Sequence, residues 1–588
     1  MARERRRWEI LRGITNNLSC KTIILDGVQV FFAYSLAVLI FFFSSLGAGL
    51  LVTSFAIGEK ISFPRRFLMA FSIGGIPLAL ATYTLMLLGY FFPVFFEPSS
   101  FILLLLLFGV VLKHVSKCGG LFKSRAFYYA AISLFLLLFL RLAFLKYLLL
   151  PGYSDSPVHY QIVESFLHPE NPAVSQLSFE TIFQHYYHFG FHSLVAWLSL
   201  VSGISPTNAI SLIGQFFLVI APLSLFYFFI TFIHNPKGAF FAALLAAIGW
   251  HMPAFAVNWG KFPALTALAL FPALVAFIAQ VLSKKQKTKN IFILSVLIIS
   301  ITLIHTRILI ILALALAAHI TVEKIHADTK LSPARSLIYT FLAIAILSPF
   351  LVLMQYFYAQ RLILGMVAIL LPFAFYEHSR ISLKVIIYIA FLWLLALLPD
   401  LGIDLVLLNR QFLEMILYIP LSLLGGIGLI AFFKRLSFHP HRENLLLTGL
   451  TLLIFLSFSR HGARYPDPCC NYFQDEDALA FDFLRENLPD NSLILIAAFN
   501  NGETNLGTDA GVWIEPLLRQ PTNRFPYDFD WGKATALSQI CEIGAENTII
   551  YVGSQLYSFE AGFFIESKQY ELLFDAEKTK IYQVQACP

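Results

Sequence analysis

Charged residues are scarce in this chain: Asp, Glu, Lys and Arg make up 13% of its 588 residues, whereas 58% are hydrophobic and Phe alone occurs 60 times. That scarcity excludes a soluble fold, because a chain of this length cannot hide so much apolar surface in its own core. Period-two alternation is missing from the apolar runs, which excludes a membrane β-barrel. The last 130 or so residues contain neither a G-x-G-x-x-G stretch nor a P-loop. Cysteines number six and follow no metal spacing. Cys20 and Cys118 accompany the apolar part, while Cys469, Cys470, Cys541 and Cys587 lie late in the chain, where one disulfide is allowed. No short apolar core with a small-residue cleavage site follows the basic start, so no signal peptide is expected.

The apolar runs that are present, such as 28–52 and 127–150, exceed the roughly 18 residues that suggest a spanning helix. We read about 14 spans, at 30–56, 67–92, 100–114, 126–150, 208–233, 239–257, 263–283, 291–305, 307–321, 336–356, 361–376, 384–398, 411–433 and 443–459. The stretch 291–321 breaks at His305-Thr306-Arg307, as two tight spans or a re-entrant pair. Residues 190–201 are apolar but too short to cross, and read as an interfacial helix.

The cations are bunched in the connectors 113–125, 284–289, 323–335, 380–384 and 434–442. With these spans all five fall on one side, which the positive-inside rule makes cytoplasmic. They account for the net charge of +6, so nucleic acid is not an expected partner. The opposite connectors carry isolated cations only: Lys261, Arg307, Arg361 and Arg410. One conflict remains, because an even span count ending outside puts the basic MARERRRW start outside too. Either the first hydrophobic stretch is a hairpin or one span is miscounted.

The loop 151–207 has no Lys or Arg, yet it gathers Asp155, three other acids and five histidines. Such a loop belongs outside the cytoplasm. Asp155 follows directly on a span. A carboxylate there can act as a general base toward a hydroxyl, or can cap a helix beginning near Pro157. His159 lies one helical turn on and would share its face. Asp155 and His159 could together take a divalent metal, although nothing in the spacing demands a cofactor. His185, His188 and His192 have the spacing of one helical face, which suits either zinc or the membrane interface. The four isolated cations sit at headgroup depth, where they would either snorkel or converge on a lipid-linked phosphate.

Composition turns ordinary near Arg460. A helix is predicted at 474–487, strands at 492–498, 548–553 and 580–585, and a helix at 533–544, which together make a small α/β layer. The division is therefore N-terminal membrane helices (1–150), a loop (151–207), a membrane helix bundle (208–459) and a C-terminal α/β domain (460–588).

The order of these motifs resembles the GT-C superfamily of integral-membrane glycosyltransferases, which includes protein O-mannosyltransferases, aminoarabinose transferases and oligosaccharyltransferases. Asp155 with His159 after a span carries the first part of the likeness. In 186-YYHFGFHSLVAW-197, Tyr187, Gly190 and His192 match a Tyr-Pro-x-Gly-x-His segment of prokaryotic members, with His188 in place of Pro. The stretch 258–276 resembles their Gly-Lys/Arg-x-Pro junction, 409–429 their late Arg-led helix, and 508–521 their Asp-x-Gly-x-Trp stretch. Three or four spans precede the Asp loop, whereas the better-known relatives have one.

The resemblance implies an inverting glycosyl transfer on the extracytoplasmic side of the cell membrane. A polyprenyl-phosphate sugar would be the donor and a glycan, lipid or protein hydroxyl the acceptor. It gives Asp155 the role of base, assisted by His159. Arg410, Lys261 and Arg307 would hold the departing phosphate, while Tyr187, His192 and His305 would shape the pocket. The rival expectation is a transporter or flippase for a lipid-linked or small hydrophilic substrate. That reading would use mid-span charges, of which Arg141 and Glu414 are the nearest.

Overall fold

The computed structural model describes every residue except 1–19, 58–61, 116–124, 170–187, 284–286, 326–330, 354, 359, 399–401, 403–407, 462–465, 490–491, 501–504, 534, 544–546, 566 and 586–588. Among the described residues, nine helices are long and apolar enough to cross a membrane. The pair Pro64–Ile73 and Gly75–Phe91, bent by 48°, makes a tenth candidate. In hydrocarbon every backbone polar group must be satisfied within its own segment, which helices achieve. The chain is thus a polytopic helical membrane protein with a small C-terminal sheet.

Burial sorts these helices. Pro206–Phe232 and Arg410–Arg435 are almost wholly enclosed, whereas Pro93–Val115 and Pro440–Ser459 expose most of their length. Their exposed Leu105, Leu106, Leu452 and Leu456 are suited to face lipid tails.

The helices Lys287–Ile304 and Ile308–Ile325 are separated by a turn at 305–307, where the sequence places its break. Arg361–Ala396 is one helical stretch interrupted at His378, whose backbone leaves the helical region (φ −135°, ψ 44°). That interruption falls between the two spans expected there. The apolar segment near 190–201 forms the helix Phe189–Ser202, buried along nearly its whole length between other helices. Fourteen residues are too few to cross lipid but enough to fill a bundle core. The basic start of the chain lies outside the described residues. Its first described helix, Cys20–Ala33, is joined to Ser35–Ile57 by continuing backbone hydrogen bonds around Tyr34, so no hairpin forms there.

Two ends of the bundle differ in chemistry. At one end, ion pairs tie the basic connectors together: Arg380 and Lys384 to Glu323, Lys434 to Glu377, and Lys237 to Glu443. The helices that carry Glu323 and Lys434 begin, at their other ends, beside Arg307 and Asn409, which share a cavity with Lys261 and His305.

The C-terminal sheet has six strands: β1 Leu493–Asn500, β2 Asn505–Gly507, β3 Thr522–Pro526, β4 Thr548–Val552, β5 Tyr570–Ala576 and β6 Thr579–Val584. Strand β1 is central, parallel to β3 and β4 and antiparallel to β2, while β4, β6 and β5 continue antiparallel. Alternation along β1 divides two cores. Ile494 and Ile496 pack against Phe481 and Leu484 of the helix Asp475–Asn487. Leu495 and Ala497 face Trp531, Phe559 and Phe564. The disulfide that the late cysteines allow joins the neighbours Cys469 and Cys470, and Cys541 is disulfide-bonded as well.

Asp509 is fully buried in this domain. It accepts from Ser558 Oγ (2.6 Å) and from the Gly511 N–H (2.9 Å). Burial pushes its carboxyl up from 3.8 to about 7, against the pull of those hydrogen bonds. The folded state therefore binds the proton more tightly than the unfolded chain. Stability from this group is greatest below pH 4 and falls as pH rises toward 7, by about 4 kcal/mol in all. Thermal melts at pH 5 and pH 8 test this: the wild-type midpoint drops at the higher pH, and Asp509→Asn removes most of that drop.

Candidate functional site

Asp155 opens the helix Asp155–Leu167, where a negative charge complements the helix dipole. The preceding Ser154 makes no side-chain cap there, and Asp155 Oδ2 accepts from Lys261 Nζ at 2.5 Å. Both side chains stay about one quarter to one third exposed (30% and 26%), so the pair is accessible and weakly held. His159 lies one turn on and shares the face, as the four-residue spacing predicts.

Lys261 reaches Asp155 because of Gly260. Its backbone is left-handed (φ +63°), and a Cβ there would lie 2.7 Å from Ser156 Oγ and 3.1 Å from the Gly152 carbonyl. Any other residue would push the 258–261 loop off the first turn of the helix. With glycine, the loop lies close enough for the Gly260 carbonyl to meet His159 Nε2 at 2.9 Å.

Gly190 has an equivalent role on the other side. A Cβ there would meet the Ile304 nitrogen and the Leu303 carbonyl carbon at 2.9 Å. The resulting close approach stacks the His188 ring on His305, with centroids 4.2 Å apart and planes 15° apart. The Thr306 N–H donates to His188 Nδ1 (3.4 Å), and the Arg307 N–H to His305 Nδ1 (3.3 Å). Both rings, when neutral, therefore carry their proton on Nε2. Burial keeps them neutral, lowering His188 to about 4 and holding His305 well below its ordinary value, with Arg307 adding to the effect.

These residues enclose a cavity of about 170 Å³. Asp155, His159, His188, Lys261, His305 and Arg307 supply its ionisable wall, Asn409 and Gln411 two amides, and Pro263, Ala264, Phe412 and Met415 an apolar side. Arg307 stands 5.8 Å over the Phe412 ring. Among the lining residues one carboxylate faces two permanent cations, so the cavity favours an anion. Rotatable N–H donors around a small space suit a phosphate.

The expected residues divide as follows. Asp155, His159, Lys261, Arg307 and His305 converge on the cavity. His192 stands behind His159, touching it at 2.9 Å without lining the space. Arg410 does not line the cavity: its Nε pairs with Glu414 at 3.0 Å, one turn along its own helix, whereas its neighbours Asn409 and Gln411 do line it. Tyr187 and His185 lie outside the described residues. Of the two described histidines of that spacing, His188 precedes the helix Phe189–Ser202 and His192 turns its Nδ1 onto the His188 carbonyl. Among the described residues no group of three or more His, Cys, Asp or Glu could hold a metal. Gln411, Phe412 and Met415 were not singled out from sequence, although their spacing marks one helical face.

The α/β domain reaches this rim. The Tyr153 N–H donates to the Cys470 carbonyl (2.8 Å), and the Asp467 N–H to Asn258 Oδ1 (2.8 Å). Tyr160 of the Asp155 helix meets Trp513 at 5.8 Å between ring centroids.

Fold and site together define a multi-pass helical membrane protein with a charged, anion-favouring cavity at one end of its bundle and an α/β domain at the rim. The chain belongs to DUF6541, a family of unknown function, which matches residues 113–466. Every cavity-lining residue lies within that match, and the C-terminal sheet lies beyond it. Among curated proteins none matches the chain.

Proposed function

We propose that this protein is a membrane glycosyltransferase of the GT-C type. It would transfer a sugar from a polyprenyl-phosphate donor to an acceptor hydroxyl on the extracytoplasmic side of the cell membrane. The observation that carries this reading is the Asp155–Lys261 contact inside a cavity shared with Arg307 and two stacked, Nε2–H histidines. Asp155 is the base. Lys261 and Arg307, with the His188 and His305 N–H groups, take the charge that develops on the leaving phosphate. Lys261 is thus shared: the arriving phosphate draws it from Asp155 and leaves the carboxylate more basic toward the acceptor.

One observation favours the transporter reading. Helix Pro236–Leu244 breaks into a π turn at Leu245–Gly249, and the buried Arg141 donates to the Ala247 carbonyl in it. Broken helices with buried charge are typical of transporter sites.

The test uses purified protein in lipid and a panel of radiolabelled polyprenyl-phosphate sugars. One of them is expected to bind and turn over. Arg307→Ala is expected to weaken donor binding about tenfold, the scale of one lost charge-assisted hydrogen bond. Binding and transmembrane movement of a donor without any release of sugar would establish the transporter instead.

A further inference from the structure

His159 and His192 form a short chain of contacts. His159 Nδ1 lies 2.9 Å from His192 Nε2. At the ends of the chain, His159 Nε2 is 2.9 Å from the Gly260 carbonyl and His192 Nδ1 is 2.8 Å from the His188 carbonyl. A carbonyl only accepts, so each end needs an N–H, and the central contact needs one proton between its two nitrogens. Three contacts call for three ring protons. Two neutral imidazoles have two. The resting pair therefore leaves one contact without a proton, and a third proton would complete all of them at once.

We infer that the His159–His192 pair is a proton-accepting site that takes up the proton Asp155 removes from an acceptor and holds it while an anion occupies the cavity. The coupling to an anion rests on the transferase reading; the pair's capacity for a shared proton does not. In the balanced step, the acceptor O–H breaks and its oxygen bonds the sugar carbon. The bond from that carbon to the phosphate oxygen breaks with both electrons on the phosphate. The proton passes to Asp155 and then to the pair. When the phosphate leaves, the proton is released to water.

The surroundings give the direction of the coupling. Asp155 faces His159 from its own helix, Lys261 from the loop and His305 from the 305–307 turn, while His188 faces His192 from the start of the helix Phe189–Ser202. Phe191 and Phe262 close the apolar side, their ring centroids 6.1 and 6.2 Å from His159. Burial first, and Lys261 after it, hold His159 down to about 4, so the resting pair is neutral and able to accept. An anion beside Lys261 offsets its charge and raises the pair's affinity for a proton.

The experiment is 15N spectroscopy of the full chain labelled in histidine, titrated from below pH 3 to pH 8, with and without inorganic pyrophosphate. His159→Gln and His192→Gln assign the signals, and the wild-type titration carries the result if either variant fails to fold. Both rings are expected to titrate in one joint step, and pyrophosphate is expected to raise that step by about one pH unit, a tenfold gain in proton affinity. Two rings titrating independently would overturn the site. Pyrophosphate that binds without moving the step would overturn the coupling. A joint step in a protein that binds no pyrophosphate would uphold the site and count against the transferase reading.

Discussion

Asp155→Asn is expected to lower sugar transfer by a factor of about 100 to 10,000, the usual range for removing a general base, while donor affinity holds or tightens. The sign of the affinity change follows from the geometry. Asp155 Oδ2 holds Lys261 Nζ at 2.5 Å. Asparagine carries no charge, so Lys261 is released to the phosphate. A merely structural salt bridge predicts something else. An ion pair with both side chains partly exposed contributes roughly 0.2–1 kcal/mol, so the variant would melt almost where wild type does and would lose little activity. The measurement is therefore a pair: single-turnover transfer and donor binding on one preparation. Turnover within a few-fold of wild type would remove Asp155 from the chemistry. Loss of turnover together with donor affinity would make it a donor contact instead.

How much of this was legible in the sequence depends on distance along the chain. Asp155 and His159 are four residues apart, and helical spacing alone put them on one face. The break at 305–307 was equally readable, because composition and local order determine it. The C-terminal strands at 493–500, 548–552 and 579–584 lie within two residues of their expected places, since β-branched runs mark them. Arg410 shows the limit. Glu414 one turn on pairs with its guanidinium, and only the rotation of that helix decides which neighbours face the cavity. The His159–His192 contact joins residues 33 apart across two helices, and the Lys261–Asp155 contact spans 106. No periodicity carries such pairings. The burial of the helix at 189–202 is unreadable for a related reason, since sequence does not say whether lipid or protein covers an apolar segment.

Asp477→Ala is expected to unfold the C-terminal domain at temperatures where wild type is intact. The sequence presents Asp477 as one of three acids in the first turn of the helix Asp475–Asn487, a position usually occupied by solvated charge. In the structure it is fully buried. Its carboxylate accepts from Tyr551 OH (2.6 Å), Thr579 Oγ1 (2.8 Å), Ser554 Oγ (3.0 Å) and the Gln474 N–H (2.9 Å). One side chain thus joins the helix to β4, to β6 and to the turn after β4. Alanine would leave several of these donors buried without an acceptor, at roughly 1–3 kcal/mol each, and would remove one half of the capping box with Gln474. A loss of about 3–5 kcal/mol results, a large part of the 5–15 kcal/mol typical of a domain. The melting midpoint of the domain should fall by roughly 10–20 °C, read by near-ultraviolet circular dichroism on the full chain. Residues 467–470, which hold Asn258 and Tyr153 at the cavity rim, lead directly into this helix. Donor turnover should therefore fail in parallel with the melt, at temperatures where the membrane helices remain folded. A midpoint within 3 °C or so of wild type would mean that water or neighbouring groups satisfy those donors, and that the network does not hold the domain in place.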